Sequence, residues 1–532
     1  MELRVVAISA PHYQSGVAGE LVLTSSDPVS LFNGCRHSAA AAALQRGVWG
    51  DSNWSGARAD RRRSLLLLHS LDAGLVTLES RLDEVRPHLL LIGAMSLCLP
   101  GAIACARRAR EILGDQVAIV LGGWHASETM FLAPDGSHVI HHAGSPARLM
   151  AEGHLPEDTF DVVVGGEAGG LITKIGELIG SDHSRSGAAP VVRRRLREAA
   201  TVPGDWIAAY TQHRVVHEFL GSPSREQEVL LPTPAALFGI STCFDVFGGK
   251  PTAHVFSDSG RGCIYDCTFC SEGMSATGSK PRLQGAADRL HGQMTTAMTV
   301  VAEDHPGLAA AAFVEDSVLL GGSPKIIERF VHLARAHPTG VTFGCQFTID
   351  QILTRKDLVG ALAGVGLSYV FVGLETSEPP LIGGLSKNVR PQTAWLHRME
   401  EVLAFLSSIG VSCGVAVLFG LGEDQHSRLR LLSLLQRWRQ DYQSPCTISF
   451  NWAVQHPLRG NDGGENYRYL DWALPDSDWR HAFEPFGEAS AIYPLAGRRR
   501  PDLTEVAELR RAIEVIECPA RNTSGVAVTT KH

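Results

Sequence analysis

Gly262-Cys263-Ile264-Tyr265-Asp266-Cys267-Thr268-Phe269-Cys270 sets three cysteines in the spacing C-x3-C-x2-C within one short loop. Thiols so close together can serve one small inorganic cluster, yet the loop offers no fourth ligand. A closed iron–sulfur cubane takes four protein ligands, so three leave one iron open to a small molecule. A structural zinc site also needs four, usually from paired Cys or His motifs. Nothing nearby completes such a set: Cys243 lies well upstream and the next cysteine after the loop is Cys345. The spacing favours a three-thiolate cluster.

Downstream, the chain becomes regular. A strand expected at His254–Ser257 runs straight into the cysteine loop. Helices expected at Ala286–Ala302, Lys325–Ala336, Lys356–Ala363, Thr393–Ser408 and Ser427–Arg439 then alternate with strands at Ala309–Val314, Val341–Gln346, Ser368–Gly373, Ser412–Phe419 and Thr447–Ala453. Counting the first strand, six βα-type units make a parallel barrel or partial barrel over residues 251–456. Its functional groups belong at the carboxyl ends of the strands. Those ends carry Glu315-Asp316, Gly373-Leu374-Glu375 and Val417-Leu418-Phe419-Gly420-Leu421-Gly422. Gln346, Asn451, Gln455 and His456 follow the same pattern and offer polar tips to a polar substrate.

Upstream, residues 1–180 alternate short apolar runs with helical patterns, which predicts a second parallel sheet covered on both faces. Strands are expected at Leu3–Ser9, His88–Ile92, Val117–Leu121 and Asp161–Val164. Ala102–Leu113 reads as an amphipathic crossover helix, with Ile103, Ala106, Ala109, Ile112 and Leu113 on one side and Arg107, Arg108 and Arg110 largely on the other. Ligands of open α/β sheets lie beyond the carboxyl ends of the strands. The residues there are Gly93–Ser96, Gly122-Gly123-Trp124-His125 and Gly165-Gly166-Glu167, whose glycines would admit close approach of a bulky ligand.

The stretch 181–250, rich in Ser, Gly, Pro and Arg, reads as a connector with a few ordered pieces, and 457–532 as a C-terminal cap holding Trp472, Trp479, Phe483, Phe486 and a helix at Thr504–Ile516. The 532 residues carry 44% hydrophobic and 20% charged side chains, as a globular chain of several domains does. A formal charge of −8 gives no electrostatic footprint for nucleic acid. The Arg triplets at 61–63, 193–195 and 498–500 are short and isolated, as on solvated faces. Leu89–Ala106 is uncharged, but Gly93, Ser96, Pro100 and Gly101 interrupt it, so no membrane span is expected. Scattered cysteines, 11 in all, argue against a disulfide framework and fit a reducing cytoplasm.

The cysteine spacing with Phe269 before its last member, followed by this order of strand ends, resembles the radical S-adenosylmethionine (SAM) superfamily. The three strand ends of the N-terminal third resemble the cobalamin-binding domain that precedes many of its members; the Asp-x-His-x-x-Gly motif of other cobalamin proteins is absent. The resemblance covers roughly residues 85–455. It implies an α/β chain: a Rossmann-like doubly wound domain, a (βα)6 partial TIM barrel and a C-terminal cap. It implies a 4Fe–4S cluster on Cys263, Cys267 and Cys270, and SAM against Phe269, Glu315, Asp316, Glu375, Val417 and Gly420. Cobalamin is expected near Ser96, Gly122, Gly123, His125, Gly165 and Glu167, with His125 beside the corrin rather than on cobalt, and substrate near Gln346, Asn451 and Gln455. The activity implied is C-methylation of a small polar metabolite, in specialised-metabolite biosynthesis, with a flavodoxin- or ferredoxin-type electron donor. The alternatives left open are a dehydration, rearrangement, ring contraction or epimerisation, for instance on an aminosugar, by the same radical without methyl transfer, and a non-catalytic iron–sulfur protein.

Overall fold

The computed structural model describes residues 2–11, 47–68, 71–182, 187–199, 201–221, 233–240, 242–257, 263–265, 267, 269–273, 275–278, 283–378, 394–453, 486, 495, 498–499 and 501–517. Two sheets organise them.

The first has seven strands in the order β2-β1-β3-β4-β7-β8-β9. Strands β1 (Val5–Ser9), β2 (Leu65–Leu67), β3 (Leu89–Gly93), β4 (Ala118–Gly122) and β7 (Val162–Gly166) are parallel. Alternate residues enter two separate cores. Val6, Ile8, Leu90, Ile92, Ile119 and Leu121 pack on one face, and Val5, Ala7, Leu89, Leu91, Ala118 and Val120 on the other. A strand buried on both sides must read as a continuous apolar run, which is why Leu89-Leu90-Leu91-Ile92 mimics a membrane segment. Among the described residues no helix is long and apolar enough to cross a membrane. The crossover helix Leu99–Leu113 buries Ala102, Ile103, Ala106, Ala109 and Leu113. Its Arg110 turns inward, to Asp161 at 2.8 Å, whose carboxylate also accepts the Ile119 amide at 2.7 Å.

Part of the stretch expected as a connector is sheet and helix. Helix Ala188–Ala199 packs on the first sheet, and β8 (Trp206–Gln212) and β9 (Val215–Leu220) extend it as an antiparallel hairpin. A second hairpin, β5 (Met130–Leu132) with β6 (Val139–His141), stands beyond β4.

The second sheet has six parallel strands in chain order: β10 (Thr252–Val255), β11 (Ala311–Val314), β12 (Thr342–Phe347), β13 (Leu367–Glu375), β14 (Ser412–Phe419) and β15 (Thr447–Trp452). Helices join successive strands, and among the described residues β10 and β15 do not pair, so this is an open (βα)6 barrel. Its helix-facing side is apolar, with Val255, Val314, Cys345, Val372, Val415, Val417 and Phe419 in one core. The other side is lined near the amino ends by Phe244, Phe247, Phe313, Tyr369 and Phe371. Gly344 and Gly414 leave room for that aromatic floor: a Cβ would lie 2.9 Å from Phe247 at the first and 2.1 Å from the Tyr369 hydroxyl at the second. Helix Leu503–Glu517 lies beside helix Gln425–Tyr442, and Phe486 packs 5.8 Å from both Phe419 and Trp452. Trp472, Trp479 and Phe483 lie outside the described residues.

The two halves touch. Arg61 is buried and donates to the Leu237 carbonyl at 2.8 Å, Arg62 donates to that of Phe238, and Arg58 pairs with Glu303 at 2.9 Å. The triplet expected on a solvated face is therefore a joint. A second contact runs from the Leu132 amide on β5 to the Ala276 carbonyl just beyond the cysteines, at 2.7 Å, and Ala276 belongs to the core of the first sheet.

Candidate functional site at the strand ends

The cysteine loop leaves the carboxyl end of β10. Ser257, fully buried, gives its amide to Asp316 Oδ1 at 2.9 Å and its hydroxyl to Asp316 Oδ2. Its carbonyl accepts from Arg289 Nε at 3.2 Å. The loop then closes through the Cys263 amide and the Glu272 carbonyl, 2.6 Å apart, and tightens through Cys270 N–H to Cys267 O at 3.1 Å. Cys267 and Phe269 sink into the barrel core, while Cys263 and Cys270 are half-buried. None of the three is in a disulfide. Among the described residues no three His, Cys, Asp or Glu side chains converge on one point as a single ion requires. These three thiols are the residues of the loop that could hold an iron–sulfur cluster.

At the end of β11 two adjacent carboxylates have different surroundings. Glu315 is partly exposed and accepts a 2.6 Å hydrogen bond from His254 Nδ1, on the inner face of β10. Asp316 has no exposure and holds the Ser257 amide, the Ser257 hydroxyl and the Leu320 amide. It faces the loop's backbone, not the barrel mouth, because strand alternation sends successive side chains to opposite sides. Of the pair expected to meet SAM, only Glu315 reaches the interior.

Glu375 ends β13 where its pairing with β14 slips a register, and it takes a left-handed φ of 61° with a buried side chain. A non-glycine residue in that region is strained, and such strain concentrates at functional sites. Val417, expected against SAM, points into the helix-facing core, and its neighbour Leu418 occupies the alternate face. Gly420 has a φ of 83° and gives its amide to Glu423 Oε1 at 2.7 Å; a Cβ there would lie 2.2 Å from Trp452 Nε1. Glu423 also accepts from Gly422 N at 3.1 Å and Arg428 Nε at 2.7 Å, and the Arg428 guanidinium stacks 4.7 Å over Trp452. Sequence reasoning missed His254, Glu423 and Arg428. A histidine inside an otherwise apolar strand, and a glutamate closing Gly-x-Gly-Glu ahead of a helix, were the available signals. Gln346 is half-buried on the inner face of β12, and Asn451 is exposed with its amide on Ser449 Oγ at 2.9 Å. Gln455 and His456 lie outside the described residues.

In the first sheet the order β2-β1-β3-β4-β7 reverses between β1 and β3, the switch point at whose carboxyl ends open α/β sheets bind ligands. Ser96 follows β3, and its hydroxyl sits 3.0 Å from His125 Nδ1 and 3.3 Å from Glu128 Oε2. His125 Nε2 lies 2.9 Å from the Gly144 carbonyl, which can only accept, so Nε2 carries a proton and Nδ1 faces the Ser96 hydroxyl. Burial lowers the His125 pKa to about 4, so the ring is neutral with both nitrogens engaged by protein. The ring is fully buried within the wall of these strand ends.

Local packing requires glycine at three of the four positions Gly122, Gly123, Gly165 and Gly166. Gly123 has a φ of 91°, and a Cβ there would meet the Ala94 nitrogen at 2.6 Å. At Gly165 it would come within 3.3 Å of Ser127 Cα, and at Gly166 within 2.4 Å of the Asp205 carbonyl. Gly122 has ordinary contact with Val164 O at 3.6 Å, and the Glu167 amide donates to Asp205 O at 2.8 Å. What these ends offer outward is apolar: Met95 is 56% and Trp124 39% exposed.

No protein-family profile and no curated protein matches the chain. Among solved structures it is similar to the radical S-adenosylmethionine methyltransferase TsrM from Kitasatospora setae. With cobalamin and a [4Fe-4S] cluster bound, that structure gives 13% identity over 86% of this chain and 76% of that one, with a TM-score of 0.48. With tryptophan substrate and the SAM analogue aza-SAM bound, the values are 12%, 86%, 74% and 0.47. Methylornithine synthase (PylB) is similar over 41% of this chain and 59% of its own, at 13% identity and a TM-score of 0.27.

Proposed function

We propose that this chain is a cobalamin-dependent radical SAM enzyme that methylates an unactivated carbon of a small polar metabolite. The observation that carries the reading is the three-cysteine loop at the carboxyl end of β10, opening onto a parallel barrel whose inner face is polar at that end. Cys263, Cys267 and Cys270 would hold the cluster by three corners. When bound, such a cluster supplies one electron to SAM and so a carbon radical able to remove a hydrogen atom from substrate.

Everything else is positioning. Glu315, the interior-facing carboxylate at the β11 end, provides an acceptor for the ammonium group of SAM, and His254 fixes its orientation. Gly420 and Trp452 shape the β14 end where an adenine would lie, held by Glu423 and Arg428. Gln346 and Asn451 present amides toward the substrate. The aromatic floor keeps water from the lower barrel, and a radical must meet its target hydrogen in contact, since orientation decides which one is lost. In the first sheet Ser96, His125, Trp124 and Met95 would border the cobalamin, with His125 as wall. A low-potential flavodoxin- or ferredoxin-type donor would reduce the cluster. The natural setting this fits is specialised-metabolite biosynthesis in a reducing cytoplasm.

The test is anaerobic reconstitution with iron, sulfide and cobalamin, followed by SAM and reductant. Both 5′-deoxyadenosine and S-adenosylhomocysteine are expected. Deoxyadenosine alone would replace methyl transfer with a non-methylating radical reaction, and neither product would overturn the enzyme reading. Cys267→Ala should abolish deoxyadenosine; full activity in that variant removes the cluster assignment.

A further inference from the structure

The cysteine loop is gripped at both ends from one place. Its entry, Ser257, is fixed by the buried Asp316 through amide and hydroxyl, and the same carboxylate takes the Leu320 amide at 3.1 Å. Its closure, the Cys263 amide on the Glu272 carbonyl, is backed by the Glu272 carboxylate accepting from Ser317 Oγ at 2.8 Å. Asp316 and Ser317 are consecutive residues at the end of β11, the sheet neighbour of β10 from which the loop departs.

We propose that Asp316 and Ser317 are positioning residues, a two-residue clasp that orders the cysteine loop before any cluster binds. The inference rests on reading Cys263, Cys267 and Cys270 as cluster ligands. Its physical basis is the cost of closing a flexible loop around a three-point ligand set, which falls when the ends are already tied. A buried carboxylate needs its charge satisfied by donors, and three donors on two oxygens supply that here. So arranged, Asp316 is committed to the loop, and Glu315 is the carboxylate of the pair on the inner face.

The clasp is tested with Asp316→Asn, Ser317→Ala and the conservative Ser317→Thr. Amide exchange over residues 263–273 of the unloaded chain should quicken at least about tenfold in the first two, while β10 to β15 stay protected. Iron retention after reconstitution should weaken about 10- to 100-fold, the usual effect of removing an outer hydrogen-bond partner of a ligand set. Whatever cluster remains should show an altered reduced-state paramagnetic resonance signal, and Ser317→Thr should restore all three properties. Loop exchange unchanged in both disruptive variants overturns the clasp, as does a rise shared equally by the whole barrel. If Asp316→Asn does not fold, Ser317→Ala decides alone. Should the native chain take up no iron, the cluster reading falls, while loop exchange in the unloaded variants still decides the clasp.

Discussion

The two parallel sheets are made by the same βα repetition, yet they offer function in different ways. In the first, the parallel strands β1, β3, β4 and β7 are covered on both faces, so nearly all their residues are committed to one of two cores and the strand tips are what they offer outward. Even there Gly123, Gly165 and Gly166 are taken up by protein packing. The second sheet curves, puts helices outside, and keeps an inner face where His254, Gln346, Ser449 and Asn451 are set above aromatic rings. A flat sheet lends its edge to a ligand, and a curved one lends an interior. Under the proposed function the first would border the cobalamin and the second would enclose the substrate.

The comparison can be broken at its tightest point. Gly123→Ala combines a φ of 91° with a Cβ 2.6 Å from backbone that cannot yield. It should cost about 3–4 kcal/mol, read as a drop in the urea midpoint of the first half. The barrel counterpart, Gly420→Ala, shares a positive φ of 83° but meets the Trp452 ring rather than backbone, and about 2–3 kcal/mol is expected. Equal losses would remove the distinction.

Acid should also separate the halves. Burial holds His125 at about 4 against an ordinary 6.5, so the unfolded chain takes a proton the folded one refuses between those values. Stability is then complete above pH 6.5 and falls as pH drops toward 4, by up to about 3 kcal/mol. His125→Gln should lessen that slope in pH-dependent melts, leaving the share of His88, which burial also lowers to about 4; an unchanged slope would mean the His125 ring does not contribute.

Two smaller effects sharpen the picture. Arg428→Lys loses the fixed fork onto Glu423 and the stack on Trp452, for about 1–2 kcal/mol in thermal unfolding. Arg58→Ala at the joint, which removes pairs to Glu303 and Asp304, should cost about 1 kcal/mol at low salt and much less near 1 M, since both carboxylates meet solvent. A loss of several kcal/mol there would make the joint a core.

The barrel was legible because its strands and helices are long enough for period to speak. Helix Lys356–Ala363 and strand Ser412–Phe419 stand where expected. The β8–β9 hairpin was not, because its turn is His213-Arg214, both at positive φ, where Asn-Gly would have announced a tight turn. Glu157 supports it instead, from far back in the chain, by accepting the His213 amide at 3.2 Å and the Arg214 amide at 2.5 Å. The cysteine spacing pointed to its loop because ligand count is a local property. The division of labour between Glu315 and Asp316 was invisible, since it depends on which side of β11 each carboxylate leaves, and on Ser257 and His254 waiting on the next strand.

Phe247 and Tyr369 meet edge to face, ring centres 6.2 Å apart, near the amino ends of the second sheet. An aromatic floor tied from outside the sheet fixes the spacing of the strands it touches. A change made among those rings should therefore be felt at the opposite ends, where Glu315 and Gln346 stand.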